Sequence, residues 1–149
     1  MSQNAQPNEE NVARRAALWI LVSMDISNTG PEPLLTNTYS TMIELDERVS
    51  EVWDRVEERV SGVWEAWDAL NEEVQGLSPR WKLERMATVD RNILRLGAWE
   101  LLQSYRGPLE VINAYVDLSK EYGEKNTPGF VNGLLDQLCQ DHKIALRRG

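Results

Sequence analysis

The fold class follows most directly from residues 89–102, VDRNILRLGAWELL. Apolar side chains recur there at spacings that place them on one broad face of an α-helix. Gly97 lies within that face, and a glycine inside a helix costs about 1 kcal/mol relative to alanine. We therefore expect a buried helix that a second helix approaches closely at Gly97. The residues predicted to face inward are Ile93, Leu94, Leu96, Gly97, Leu101 and Leu102.

Helical patterns continue on both sides of this segment. Gly107-Pro108 ends its helix and begins another that stops at Gly123, and Thr127-Pro128 begins the last helix. Upstream, Ser78-Pro79 predicts the start of a short helix that ends near Ala87. No alternating strand pattern and no internal repeat interrupts this succession.

The region before residue 78 also reads as helical. Nine apolar residues from Leu45 to Val74 recur every three or four positions, which predicts one long helix packed in a bundle. The first helix is expected to start after Asn8 as its cap and to end before the breaking sequence SNTGPEP, residues 27–33. The prediction is an all-α protein of about seven helices. It comprises a flexible segment 1–8, one helical domain over 9–142 and a basic tail 143–149.

Charge is unevenly distributed and limits the classes of partner. The 149 residues carry a net charge of −8. Residues 1–75 contain 5 Lys/Arg and 15 Asp/Glu, whereas residues 76–149 contain 11 and 9. The first half should therefore repel phosphate except near Arg14 and Arg15, which weighs against a general nucleic-acid binder.

Composition and motifs favour a non-enzymatic cytoplasmic protein. The N-terminus lacks the features of a signal peptide, no apolar run reaches membrane-spanning length, and the single cysteine, Cys139, fits a reducing compartment. Cys139 and His142 are three residues apart but lack a third orienting group, so we expect a core-edge cysteine and an exposed histidine. No phosphate-binding loop, dinucleotide motif or metal-ligand cluster is present, and we predict no catalytic residue, metal or cofactor.

Four segments together resemble the NusB family of transcription antitermination factors. They are ARRAALWILVSMDIS (13–27), RWKLERMATVDRNILRLGAWELL (80–102), PLEVINAYVDLSKEYG (108–123) and FVNGLLDQL (130–138). The resemblance implies an all-helical fold of two packed three-helix subdomains. It also implies an adaptor that binds boxA-type single-stranded RNA together with NusE, a small-subunit ribosomal protein, and that acts on the RNA polymerase elongation complex.

The resemblance also assigns roles to particular positions. Arg14 and Arg15 fall on the arginine-rich start of the first helix, which faces RNA in the family. The loop into the last helix faces RNA as well, where an aromatic ring can stack on an unpaired base. The resemblance implies RNA binding by Arg14, Arg15, Asn126 and Phe130, and NusE binding by Glu84, Asp90 and Arg91.

This sequence departs from the family pattern where charge faces RNA. Two glutamates precede the arginines, and Gly129 occupies a position that is often basic. A second hypothesis is therefore a divergent NusB-like paralogue that acts as a protein–protein interaction module with weak or no RNA binding. Structural roles remain open at the same positions: a solvated helix face for the two arginines, core packing for Phe130, and helix-end electrostatics for Asp90 and Arg91.

Overall fold

The computed structural model describes residues 7–103 and 107–146, which form seven α-helices and no strand. The all-α prediction is confirmed. Parts of the predicted N-terminal segment and basic tail, residues 1–6 and 147–149, lie outside the described residues. In the described part no helix is long and apolar enough to cross a membrane. The helices are α1 (Pro7–Ser27), α2 (Pro31–Leu45), α3 (Trp53–Glu65), α4 (Trp67–Leu77), α5 (Thr88–Gln103), α6 (Pro108–Tyr122) and α7 (Thr127–Asp141).

The chain divides into two compact units, Met1–Glu65 and Ala66–Gly149. In the first unit, α1 packs against α2 and α3. Small and branched side chains on the inner faces of α1 and α3 exclude solvent completely, as expected for closely packed helices. The residues of α1 and α3 with no exposed surface include Ala13, Ala17, Leu18, Ile20, Leu21, Val56, Val60 and Val63.

The single long helix predicted from Leu45 to Val74 is wrong, and Leu45, which begins the predicted apolar stripe, is 78% exposed. A 3₁₀ helix occupies Glu47–Val52, and α3 and α4 are separated at Ala66, whose φ of −101° and ψ of 17° leave the helical region. The Asp46 carboxylate accepts the backbone N–H of Arg48 and so caps the 3₁₀ segment. The valines of the stripe are nevertheless buried. Apolar periodicity therefore identified the inward side and not the continuity of the backbone.

Two predicted helix boundaries are also wrong, and α2 was not predicted. The breaking sequence does end α1, at Ser27, but it also contains the start of α2. Pro31 and Pro33 lie in the first turn of α2, where the missing N–H donors have no helical partner to lose. The segment after Ser78-Pro79 forms only a 3₁₀ helix, Leu83–Arg85. Ser78 follows the end of α4 and caps no new helix, and Asn8 lies inside α1.

In the second unit, α5 packs against α4, α6 and α7. Its residues 92–101 are all buried. A Cβ atom added to Gly97 would lie 2.8 Å from Cδ1 of Leu135 on α7, which confirms the close helix approach predicted at this glycine. One buried polar pair lies inside the unit: the Tyr115 hydroxyl lies 2.5 Å from Oε2 of buried Glu100.

Candidate nucleic-acid and partner interfaces

The two predicted RNA-binding arginines occupy different environments on α1. Arg14 is only 4% exposed, and its Nη1 donates to Oδ1 of Asn11 at 2.8 Å. Arg15 is half-buried. The hydrogen bond from the Arg48 side chain lowers the pKa of Asp46, and the charge of Arg15 adds a small further lowering. A solvated face therefore does not describe Arg14, whereas Arg15 retains surface that a phosphate can reach.

The glutamates at the start of α1 form ion pairs with arginines of α3 inside the first unit. Glu10 is buried, and its Oε1 lies 2.6 Å from Nη2 of Arg59, a fully buried guanidinium on α3. Arg55, also on α3, lies 3.8 Å from the other oxygen of Glu10 and 3.7 Å from Glu9. This cluster partly neutralises the two glutamates that precede the arginine pair. Sequence reasoning missed it, because Glu10 and Arg59 are 49 positions apart.

In the second unit, Asp90 of α5 touches the start of α7. The Thr127 hydroxyl lies 3.4 Å from Oδ2 of Asp90, whereas Oδ1 is buried without a hydrogen-bond partner among the described residues. Burial raises the pKa of Asp90, with a contribution from the nearby charge of Glu124 and an opposing one from Thr127. The carboxyl group predicted to bind a partner is thus half-buried and tied to the loop predicted to bind RNA.

Asn126 and Phe130 flank that contact. Asn126 is exposed at the N-cap position of α7, and its carbonyl accepts the backbone N–H of Phe130 at 3.3 Å. Phe130 is half-buried, so its ring both packs and keeps accessible surface. Thr127, between them, also accepts the backbone N–H of Glu124 at 3.1 Å, which orders the loop before α7. The predicted RNA loop and Asp90 are therefore neighbours.

Glu84 and Arg91 come together at the 3₁₀ turn before α5. Nη1 of Arg91 lies 3.1 Å from the carbonyl oxygen of Glu84 and 3.5 Å from that of Leu83. The side chain of Glu84 is exposed, while Arg91 is half-buried. Arg91 therefore holds the turn on which Glu84 is presented, and Glu84 is the more accessible of the two to a partner.

The segment between α4 and this turn carries an exposed aromatic residue that sequence reasoning did not single out. Trp81 is 62% exposed, and the neighbouring Arg80, Lys82 and Arg85 are exposed as well. The signal available in the sequence was an aromatic residue interleaved with cations in RWKLER, residues 80–85. The short helix predicted from Ser78-Pro79 to near Ala87 includes this segment.

Cys139 and His142, the two residues considered for catalysis, lie in different environments. Burial raises the pKa of the Cys139 thiol, aided by the charge of Asp136, which is opposite to the shift that activates a nucleophile. His142 is exposed, and its Nε2 lies 2.8 Å from the Glu73 carboxylate. Across the described ranges, no group of three or more His, Cys, Asp or Glu side chains is placed to hold a metal ion.

A model of the NusB family matches residues 11–140. The transcription antitermination protein NusB of Anaeromyxobacter dehalogenans (strain 2CP-1) is 36% identical over 137 residues, covering 92% of this chain and 94% of that protein. The NusB protein of Bacillus pumilus (strain SAFR-032) is 36% identical over 136 residues, covering 91% and 98%.

Two solved structures with similar backbones contain NusB. NusB of T. maritima superposes with a TM-score of 0.72 at 28% identity, covering 89% of this chain and 91% of that one. A structure of antitermination factors NusB and NusE in complex with dsRNA gives 0.76 at 24% identity, covering 90% and 98%. At the latter identity the similarity concerns the fold alone.

Proposed function

Because this chain belongs to the NusB family of transcription antitermination factors, we propose that it is an RNA-binding adaptor that binds boxA-type RNA together with NusE. The observation that carries the proposal is the family match over residues 11–140, which confirms the resemblance seen in the sequence motifs. A protein of the same fold has been solved with NusE and dsRNA, so this architecture is compatible with both partners. The adaptor acts in the cytoplasm on the RNA polymerase elongation complex and catalyses no reaction.

The contact between Asp90 and Thr127 supports a shared RNA and protein surface on the second unit. NusE binds at Glu84, Asp90 and Arg91, and RNA binds at Asn126 and Phe130. Since Asp90 and Thr127 are 3.4 Å apart, a protein and an RNA strand bound at these positions lie next to each other. Each then covers surface that the other approaches, which gives a physical basis for binding RNA better with NusE than alone.

On the first unit, Arg15 contributes the phosphate contact and Arg14 acts mainly through folding. Arg14 is 4% exposed, which leaves little of its guanidinium for a ligand, whereas Arg15 keeps accessible surface. Counter-ion release by one cation is a modest contribution. This assignment is consistent with weak RNA binding by the protein alone.

A divergent NusB-like paralogue that binds proteins and little or no RNA is the second candidate. The net charge of −10 over residues 1–75, from 5 Lys/Arg and 15 Asp/Glu, favours it, as does the burial of Arg14. The two candidates share the NusE surface and differ in whether RNA is bound.

A mobility-shift titration of boxA RNA, with and without NusE, separates these candidates. The proposed adaptor shifts the RNA weakly alone and at lower protein concentration when NusE is added. An adaptor that binds NusE but never shifts boxA RNA is the paralogue. A protein that binds neither NusE nor RNA refutes both proposals.

A further inference from the structure

Trp81 is the most exposed aromatic side chain of the described residues, with 62% of its surface accessible. Its indole makes no ring or cation contact within the described ranges, and it lies on the turn between α4 and α5. Large aromatic side chains usually bury most of their surface, so an indole that keeps 62% of its surface accessible indicates a binding surface.

The backbone beneath Trp81 is held by hydrogen bonds from both sides. Its carbonyl oxygen lies 3.0 Å from Nε2 of Gln75 and 3.3 Å from Oγ of Ser78, and its N–H donates to the Ser78 carbonyl at 3.0 Å. Oε1 of Gln75 also accepts the N–H of Leu83 at 2.9 Å. Because Leu83 is itself buried, the turn is anchored and the indole is presented with little loss of backbone freedom on binding.

The charges around the indole are positive. Arg80, Lys82 and Arg85 are exposed, and none forms an ion pair in the part of the chain that the structure describes. Glu84 is the one carboxylate among residues 79–89, and these three are the cations in that range. This is a local excess of positive charge in a protein whose overall charge is −8.

We infer that the turn formed by Arg80, Trp81, Lys82 and Arg85 is a contact site for single-stranded RNA. The indole stacks on one unpaired base, and the three cations contact the phosphates on either side of it. An aromatic platform among cations is the pattern by which proteins bind single strands without reading sequence. Each cation can also release one condensed counter-ion. The inference rests on the proposed RNA-binding function and adds a site that the family motifs did not assign.

A protein partner is the competing occupant, because Glu84 lies on the same turn. Protein interfaces are depleted in lysine at their centre, whereas exposed Lys82 directly follows Trp81 in the chain. Three cations without ion pairs also match a phosphate backbone better than an interface core. The observations therefore favour RNA at Trp81.

Fluorescence anisotropy measures the affinity of the protein, without NusE, for U12, a fluorescein-labelled single strand of 12 uridines. Trp81→Ala should weaken binding about 5- to 150-fold, the loss expected for one stacked base, and Trp81→Phe should stay within about threefold. Replacing Arg80, Lys82 and Arg85 together with glutamine should flatten the log–log salt dependence by up to about 2, because each lost phosphate contact removes about 0.7. A 12-base-pair RNA duplex should show no dependence on Trp81, since its bases are already stacked.

Two control variants isolate the turn. Trp64→Ala removes an exposed tryptophan, 42% accessible, from the acidic first unit and should leave U12 affinity unchanged. Lys120→Gln removes an exposed cation of α6, which lies 3.7 Å from Asp117, and should leave the salt dependence unchanged. Cross-linking of 5-iodouridine-substituted U12 should label Trp81, as read by mass spectrometry of the digested protein.

The inference is overturned if Trp81→Ala binds U12 like the parent protein, if cross-links fall only outside residues 79–85, or if the parent protein binds no U12. It is also overturned if Trp81→Ala weakens NusE binding in the absence of RNA while U12 affinity is unchanged, because the turn then serves the protein partner. In each case the boxA shift with NusE independently decides the proposed function, so the two failures are distinguishable.

Discussion

Replacing Gly97 with alanine should destabilise the protein only while Leu135 is present. The added Cβ would lie 2.8 Å from Cδ1 and 3.2 Å from Cδ2 of Leu135, which is 1% exposed and has little room to move. Overpacking of this kind costs about 1–3 kcal/mol, while alanine gains about 1 kcal/mol of helix propensity over glycine. The net expectation is a loss of about 0–2 kcal/mol in the free energy of unfolding.

The effect of Gly97→Ala on the free energy of unfolding should change sign when Leu135 is replaced by alanine. Leu135→Ala alone should cost about 2–5 kcal/mol, as buried leucines do. In that background the clash is gone and the new methyl group fills part of the cavity, so Gly97→Ala should stabilise the protein by about 1 kcal/mol. The resulting coupling energy between the two positions is about 1–3 kcal/mol.

Urea unfolding followed by circular dichroism at 222 nm measures the free energy of unfolding of the parent protein, the two single variants and the double variant. Coincidence with the tryptophan-fluorescence transition establishes two-state behaviour first, which matters in a chain with two compact units. Gly133→Ala is the matched control, since a Cβ at this exposed position of α7 meets nothing within 4 Å, and it should stabilise by about 0.5–1 kcal/mol. Equal effects of Gly97→Ala in both backgrounds would refute the steric explanation.

Three further outcomes follow from the candidate interfaces. Glu84→Lys should weaken NusE association by reversing an exposed charge while leaving the unfolding free energy unchanged, and unchanged affinity in a pull-down titration would remove Glu84 from the partner surface. Arg15→Gln should reduce the slope of log affinity against log salt for boxA binding by about 0.7. Arg14→Gln should mainly lower the free energy of unfolding, because the guanidinium of Arg14 is buried. Equal stability of the two variants would contradict this division of roles. Burial raises the pKa of Asp90, so the folded protein holds that proton more tightly than the unfolded chain does. The contribution of Asp90 to the free energy of unfolding should therefore fall as pH rises from about 4 through the raised pKa. Asp90→Asn should flatten this part of the profile in urea titrations between pH 3.5 and 7, and parallel profiles would show that Asp90 titrates normally.

Local patterns were sufficient for the fold class and for most of the buried residues. The valines between 49 and 74 are buried as their spacing predicts, because helical periodicity reports which side of a segment avoids water. The predicted inward residues from Ile93 to Leu101 are buried too, but so are all the residues from 92 to 101, polar ones included, and Leu102 is only half-buried. Gly97 likewise indicated a close helix contact, since a glycine is seldom kept inside a helix without one. Motif blocks were enough to recognise the family, which the match over residues 11–140 confirms.

Backbone breaks within a periodic segment depended on tertiary packing. The stripe from Leu45 to Val74 keeps its apolar spacing through a 3₁₀ helix and a break at Ala66, so periodicity alone could not reveal either. The missed helix α2 illustrates the same limit: it has no buried residue, and its two prolines, which resemble a chain break, are compatible with a helical first turn.

The environment of each candidate site residue could not be predicted from the sequence, because it depends on contacts between residues that are distant along the chain. Arg14 and Arg15 are adjacent and chemically identical, yet only Arg14 is buried. Asp90 meets Thr127 across 37 positions, and Glu10 meets Arg59 across 49. A local pattern specifies which face of a helix turns inward, whereas burial of a charge depends on which helix packs over it, and that is set only when the chain has folded.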